Sequence, residues 1–312
     1  MPTLQTTIEQ THTPERNDMN KWSQAKELVD SFQFEPDFIG QLMQQGVSPS
    51  NPSSREYMDT MSSYSESFLS AHELDQTVDP GLAQQVTLIS NAPLYVNSQK
   101  ELNYFEHKRK REGRLSDDDW VYFKTLKPYV IWYNQQLSDY AYTHPQDAIS
   151  DINEALIDTA IPSHPGDERL VEQHLSDTTR GARTEAVTRQ LLDVAGVPYS
   201  PGSAEEDSSG GDIILHYKGN NVKVDIKSSL SDIAHVRGGY DEINEKHLMY
   251  AIHKRPNERK ENHVVKLYPG FEDKDIGNAL GIKTDTDFAF GRAQMIAIQL
   301  QKALQELDLT AK

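Results

Sequence analysis

Residues 210–227 read GGDIILHYKGNNVKVDIK and decide the fold expected for this chain. Two apolar, β-branched runs, residues 211–217 and 222–227, are separated by the four residues Lys218 to Asn221. A Gly-Asn pair between two such runs is typical of a tight hairpin turn. The stretch therefore predicts two adjacent antiparallel strands.

Three charged residues of this hairpin, Asp212, Asp225 and Lys227, are expected to share one face. With Gly219 and Asn220 at the centre of the turn, the register puts Asp212 opposite Lys227, and alternation along the strand puts Asp225 on the same side. A bulge or a three-residue loop would turn Asp212 to the other face. Two carboxylates on one rigid face offer oxygen ligands to a hard cation such as Mg²⁺, and a lysine beside them can orient or deprotonate an attacking water.

A helix is predicted upstream of the hairpin, in residues 180–196. Its apolar residues recur at helical spacing, and Gly196 followed by Pro198 ends it. Glu185 lies one turn from Ala182. Its carboxylate is therefore expected at the border of the buried stripe.

The order of these elements resembles the PD-(D/E)XK nuclease superfamily, in which a helix with an acid, a strand with an aspartate and a strand with D/E-x-K follow one another. The resemblance covers roughly residues 170–230, and Asp225-Ile226-Lys227 matches the last motif. It implies an α/β fold with a restriction-endonuclease-like mixed β-sheet flanked by helices. It also implies hydrolysis of phosphodiester bonds in DNA, with RNA left open, and Mg²⁺ or Mn²⁺ as the cofactor. The implied catalytic residues are Glu185, Asp212, Asp225 and Lys227, of which the three acids would hold the metal ion.

The chain departs from this family after Lys227. Gly238-Gly239 interrupts the segment in which the family has a helix. The glutamine-tyrosine motif of RecB-like members is also missing from its expected place after the lysine. The second core helix is therefore expected to be short or displaced.

Each candidate residue also has an ordinary structural explanation. Asp225 and Lys227 would form the polar stripe of a half-exposed hairpin, and Glu185 would pair with Arg189 one turn further along the helix. The alternative is therefore a catalytically inactive nuclease fold that acts as a nucleic-acid or protein interaction module. A structural protein with no nucleic-acid role is a third hypothesis.

Composition narrows the classes of function. The 312 residues carry a formal net charge of −17, which opposes nucleic-acid binding through lysine and arginine. The chain has no cysteine, which excludes disulfides, a thiol nucleophile, cysteine zinc sites and iron–sulfur clusters. Its first residues are polar and it has no apolar run of membrane-spanning length, so we expect a cytoplasmic protein with no membrane partner.

Three regions are predicted along the chain. Residues 1–75 are polar and are expected to be a partly disordered N-terminal extension. Residues 76–165 are expected to be a helical, aromatic-rich region whose aromatic rings form a core, with Ser116 as a helix N-cap and Pro128 ending or kinking that helix. Residues 166–312 are expected to form the nuclease-like domain.

Two basic segments are candidate nucleic-acid contacts. The first is either a phosphate-contacting patch or a solvated helix end, and both interpretations stay open. The second separates two apolar runs, residues 248–252 and 264–268, and suggests the basic tip of a hairpin or of two neighbouring strands. Their basic residues are Lys108, Arg109, Lys110 and Arg111 in the first segment, and Lys254, Arg255, Arg259 and Lys260 in the second.

A long helix is predicted at residues 291–307, with one apolar face. That face is expected to pack on the sheet. Any part of it left uncovered would serve as a homodimer surface.

Overall fold

The structure is a computed structural model, and it shows a mixed α/β protein that is mostly helical and contains one five-stranded mixed sheet. The residues that it describes are 25, 80–144, 152–203, 211–229, 249–253, 264–271 and 286–307. The predicted extension at 1–75, apart from Ala25, lies outside the described residues, as do Gly238-Gly239 and the second basic segment, Lys254 to Lys260.

Helices make up most of the described chain. They are α1 (Pro80–Glu112), α2 (Asp117–Thr143), α3 (Ile152–Ala160) with a 3-10 turn at Ile161–Ser163, α4 (Glu168–Val194) and α5 (Thr286–Glu306). Within the described residues, no helix has the length and apolar character needed to cross a membrane.

Helix α2 begins where the sequence predicts, after Ser116, and it continues past Pro128. The Ser116 hydroxyl accepts a hydrogen bond from the Asp119 backbone N–H at 3.1 Å, which satisfies one unpaired donor of the first turn. Pro128 does not end the helix, because α2 continues through it to Thr143, and a kink at Pro128 stays a prediction. Buried Leu126 and Tyr129 on either side of the proline hold the helix against its neighbours, and this packing outweighs one lost backbone hydrogen bond.

The aromatic side chains of α1 and α2 lie mainly in a helical core, as predicted. Tyr95 and Tyr133 are fully buried and stack with ring centroids 4.3 Å apart. Tyr104 and Trp120 are exceptions and are exposed. The rings that are buried are not available as a surface for stacking bases.

Helix α4 connects the helical core to the sheet. Val171 and Leu175 in its first half pack in the helical core, whereas Val187 and Leu191 in its second half pack against the sheet. The predicted helix at 180–196 is confirmed, although it begins twelve residues earlier, at Glu168.

The five strands form a mixed sheet in the order β1-β2-β3-β5-β4. Strand β3 pairs antiparallel with β2 and parallel with β5, and β4 pairs antiparallel with β5, so the predicted neighbouring strands around the second basic segment are confirmed. The strands are β1 (Tyr199–Pro201), β2 (Ile213–Tyr217), β3 (Asn220–Ile226), β4 (Met249–His253) and β5 (Val264–Tyr268).

Helices α4 and α5 cover one face of this sheet. Val222, Val224 and Ile226 share a core with Ile296 and Leu300 of α5, which confirms that the C-terminal helix packs on the sheet. Because side chains alternate along β3, Asp225 points to the opposite face. Ala293, Ile296 and Leu300 of the predicted apolar face are buried, and a homodimer through any uncovered part of that face stays a prediction.

The predicted register of the β2–β3 hairpin is wrong by two residues. Tyr217 pairs with Asn220 and Ile213 with Val224, so Lys218 and Gly219 are the central turn residues, both with positive φ (47° and 75°). A two-residue turn of this kind requires positive φ at both positions, and glycine at the second satisfies one of them. A shift of two leaves every side chain on its predicted face, so the apolar pattern could not distinguish the two registers.

Candidate active site

A polar cavity of about 480 Å³ lies where α1, α2 and α4 meet the ends of β1, β2 and β3. Glu185, Asp212 and Lys227, three of the four predicted catalytic residues, contribute to its lining. They come from the middle of α4, the residue before β2 and the residue after β3. The fold therefore brings together residues that the sequence places on three separate elements.

Asp212 is fixed at the entrance to β2 by two backbone contacts. Its carboxylate Oδ2 accepts a hydrogen bond from the Ile226 N–H at 2.5 Å, and its own carbonyl accepts one from the Gly202 N–H at 2.8 Å. Continuing the observed register by one pair puts Asp212 opposite Asp225, and not opposite Lys227 as the sequence predicted. Gly202 permits this approach, because a Cβ there would lie 1.9 Å from the Gly211 carbonyl oxygen.

Asp225 lies beside the cavity and contacts it through Lys227. The residue is only 6 % exposed, and its carboxylate contacts the Lys227 Nζ at 2.5 Å and the Lys266 Nζ at 3.9 Å. A buried carboxylate is costly without such partners. Asp225 therefore holds the Lys227 side chain at the cavity margin, while its own carboxylate is not part of the described lining.

Glu185 has the helical partner that the sequence also suggested. Its carboxylate lies 3.6 Å from the Arg189 guanidinium, which in turn donates a hydrogen bond to Asp139 at 2.7 Å and stacks 4.2 Å from the Tyr142 ring. Arg189 is only 5 % exposed, so this is a largely buried cation that ties α4 to α2. It also lines the cavity beside Glu185.

His174 is a further titratable residue of the cavity. Burial lowers its pKa below the usual value, and the nearby Lys100 acts in the same direction while Asp177 opposes it. The neutral imidazole is therefore favoured, and it offers a hydrogen-bond acceptor to anything in the cavity.

The charges of the lining favour a bound cation. Four carboxylates, from Asp139, Asp177, Glu185 and Asp212, face two permanent cations, Arg189 and Lys227. This excess of negative charge would repel a phosphodiester unless a further positive charge entered with it.

The donor atoms fit a hard divalent ion, because they are carboxylate oxygens. Within the described chain, however, no group of three or more His, Cys, Asp or Glu side chains is arranged to hold a metal ion. Glu185 and Asp212 share the cavity, and Asp225 is engaged with Lys227. A complete shell would therefore need water or substrate oxygens, which Mg²⁺ commonly keeps.

The first basic segment forms the end of α1. Lys108 pairs with Asp119 at 2.6 Å and Arg111 with Glu112 at 2.6 Å, while Arg109 and Lys110 are exposed. Cations in a last helical turn also stabilise the helix dipole, which is the ordinary explanation for such a run. As nucleic-acid contacts, these four residues stay a prediction.

Sequence reasoning missed the cavity wall opposite the candidate acids. This wall includes Tyr95, Gln99 and Asn103 of α1, which recur at spacings of four, and Asn134 of α2. Polar residues at helical spacing inside an otherwise buried helix were the available signal. The sequence does not show which neighbouring helix such a stripe faces, so the wall could not be assigned to the site.

In comparisons with known proteins, no family model, curated protein or solved structure matches the chain.

Proposed function

We propose that this protein is a metal-dependent nuclease of the PD-(D/E)XK type that hydrolyses phosphodiester bonds in DNA. The observation that supports the proposal is the meeting of Glu185, Asp212 and Lys227 in one cavity, with Asp225 in contact with Lys227. A restriction-endonuclease-like arrangement of the mixed sheet and its helices, and a cytoplasmic location, are parts of this proposal.

Glu185 and Asp212 are the cavity residues that would hold the metal ion, and Asp225, the third acid of the motif, lies beside them in contact with Lys227. Mg²⁺ or Mn²⁺, when bound, would neutralise charge on the phosphoryl oxygens and lower the pKa of a nearby water. The carboxylates of Glu185 and Asp212 would orient that water against the phosphorus atom. The negative lining accounts for a strict need for the cation, because the phosphodiester is itself an anion.

Lys227 is the proposed partner of the attacking water. Its ammonium group is held by the Asp225 carboxylate at 2.5 Å and reaches the cavity margin. From there it would donate a hydrogen bond to the water or to a non-bridging phosphate oxygen, and so stabilise the charge that develops in the transition state.

A cleavage assay tests the proposal. Labelled single-stranded, double-stranded and branched DNA and RNA would be incubated with wild type in Mg²⁺, Mn²⁺ or EDTA. We expect cutting with either metal ion, none in EDTA, and a loss of at least about 100-fold in Lys227→Met. Lys223→Met, which changes a lysine of the same strand outside the described lining, is the matched control and should keep the wild-type rate.

The inactive nuclease fold is the second candidate, and one feature favours it. Glu185 and Asp225 each already face a cationic side chain of the protein, Arg189 and Lys227. Such ion pairs need no metal ion. Nucleic-acid binding that is insensitive to EDTA and to Lys227→Met, without cleavage of any substrate, would select this candidate.

A further inference from the structure

The α1–α2 side of the cavity differs in chemistry from the side that carries the acids. Apart from Asp139, its polar groups are neutral: the amides of Gln99, Asn103, Asn134 and Gln135, and the hydroxyl of Tyr95. Amides combine donors and an acceptor on one side chain, whereas a phosphate group is normally bound by cations or by N–H groups. Edges of nucleobases present the matching mixture of donors and acceptors.

One of these amides has hydrogen-bonding capacity that the described protein does not use. The Asn134 Oδ1 is buried and has no hydrogen-bond partner among the described residues. Leaving such an acceptor unpaired is unfavourable, and a donor group brought to it by a ligand would satisfy it. Within the part of the chain that the structure describes, the neighbouring Gln135 makes a long contact, 3.5 Å from its Nε2 to the Gly202 carbonyl oxygen.

The aromatic groups of this wall do not offer a stacking surface. Tyr95 stacks on Tyr133 at a centroid distance of 4.3 Å, and its hydroxyl is hydrogen-bonded to Thr178 and Gln99. A base in the cavity would therefore be recognised through its edge, by the amides, and not through stacking on Tyr95.

The size of the cavity limits what can enter. A volume of about 480 Å³ is within the usual range for a small organic ligand and suits one nucleotide. A base can reach the amides inside the cavity only if its nucleotide has left the base stack, which is cheapest in a single strand.

We infer that the α1–α2 wall is a subsite for one unstacked nucleobase, with Asn134 as a specificity-determining contact, and that the substrate is single-stranded DNA or the single-stranded end of a duplex. This inference rests on the proposed function, because it places the base opposite the residues proposed to act on its phosphate.

Two variants and two controls test the subsite. Asn134→Ala removes the amide contact, and Gly181→Leu fills the cavity, since a Cβ at Gly181 has no atom within 4 Å and the residue lines the cavity. Gly181→Ala is the matched control for the helix position, and Asn97→Ala changes an exposed asparagine of α1. Asn134→Ala should not lower the melting temperature, because it deletes a buried oxygen that has no partner in the described protein.

Binding and cleavage are measured separately. Binding of a labelled single-stranded oligonucleotide and of a blunt duplex is measured in Mg²⁺, in an Asp212→Asn background that suppresses cutting. We expect the single strand to bind at least about tenfold more tightly than the duplex. Asn134→Ala should weaken the binding of the single strand about tenfold, which is the effect of one good base contact. Gly181→Leu should abolish the preference, whereas Gly181→Ala and Asn97→Ala should retain it.

The outcomes separate the subsite from the nuclease proposal. Equal binding of single strand and duplex, or unchanged preference in both Asn134→Ala and Gly181→Leu, would overturn the subsite even if wild type cleaves DNA. Single-strand binding that both variants weaken would support the subsite even if no substrate is cleaved, in which case only the nuclease proposal fails.

Discussion

At the residue scale, the most constrained group of the site is the Asp225 carboxylate. It is buried on the sheet face away from α4, and two ammonium groups compensate its charge, that of Lys227 at 2.5 Å and that of Lys266 at 3.9 Å. The contact between Asp225 and Lys227 therefore has two consequences. It stabilises the folded protein, and it fixes the lysine that we propose to act on the attacking water.

Lys227→Met is predicted to destabilise the protein as well as to inactivate it. Among the described residues, the change leaves Asp225 with the more distant Lys266, and we expect a loss of roughly 1–3 kcal/mol in the free energy of unfolding, reduced from the fully buried case because Lys227 is partly exposed. Urea denaturation measures this loss. Lys302→Met, at an exposed position of α5, is the control and should change stability by less than about 0.5 kcal/mol. Equal stability of the two variants would show that the ion pair contributes nothing.

His174 predicts a pH dependence of stability. Its pKa is lowered in the folded protein, chiefly by burial, so the unfolded chain binds the proton more readily. The neutral imidazole's contribution to the free energy of unfolding is complete above about pH 6.5. It is lost as the pH falls below that value towards the lower pKa of the folded protein. We expect the free energy of unfolding to fall more steeply between pH 7 and 5 in wild type than in His174→Gln. Identical slopes, or an NMR titration midpoint of His174 above 6.5, would contradict this explanation.

At the element scale, the sequence allowed the hairpin and the α4 helix to be predicted, but not how they meet. The apolar alternation of β2 and β3 fixed which side chains share a face, while the turn chemistry of Lys218 and Gly219 set a register two residues away from the predicted one. Glu185 was placed correctly at the border of a buried stripe, because helical spacing alone determines that. The contact of α4 with α1 and α2 depends on packing between distant segments, and no local pattern in the sequence reports it.

The close contact of Gly202, the residue after β1, with the backbone at Gly211 and Asp212 is predicted to be essential for the position of Asp212. In Gly202→Ala the new Cβ would lie 1.9 Å from the Gly211 carbonyl oxygen, so the backbone that carries Asp212 must move. We expect a destabilisation of about 1–3 kcal/mol and a large loss of cleavage. Gly181→Ala is the matched control, because it meets open space in the interior of α4 and should be neutral or stabilising by up to about 1 kcal/mol. Full activity in Gly202→Ala would show that this contact is not needed for the position of Asp212.

At the scale of the whole molecule, a net charge of −17 has to be reconciled with the proposed nucleic-acid substrate. The exposed basic residues of α1, Arg109 and Lys110, lie beyond Asn103 on the helix that contributes one wall of the cavity. Binding through so few cations would be weak, and it would depend on divalent ions at the acidic cavity more than on a broad positive surface. Affinity for the proposed substrate would therefore come mainly from the cavity and its cation, and the surface charge would have a minor role.

A double-mutant cycle on the cleavage rate determines whether residues from different elements form one reaction centre. Mg²⁺-dependent cleavage of a single-stranded oligonucleotide would be measured for wild type, Glu185→Gln, Asp212→Asn and the double variant, each shown to be folded. Residues that act as a unit give strongly non-additive effects. We predict that each single variant loses at least about 100-fold and that the double variant is little slower than the slower single variant. Wild-type rates in either single variant, or losses that simply multiply in the double variant, would contradict a shared reaction centre.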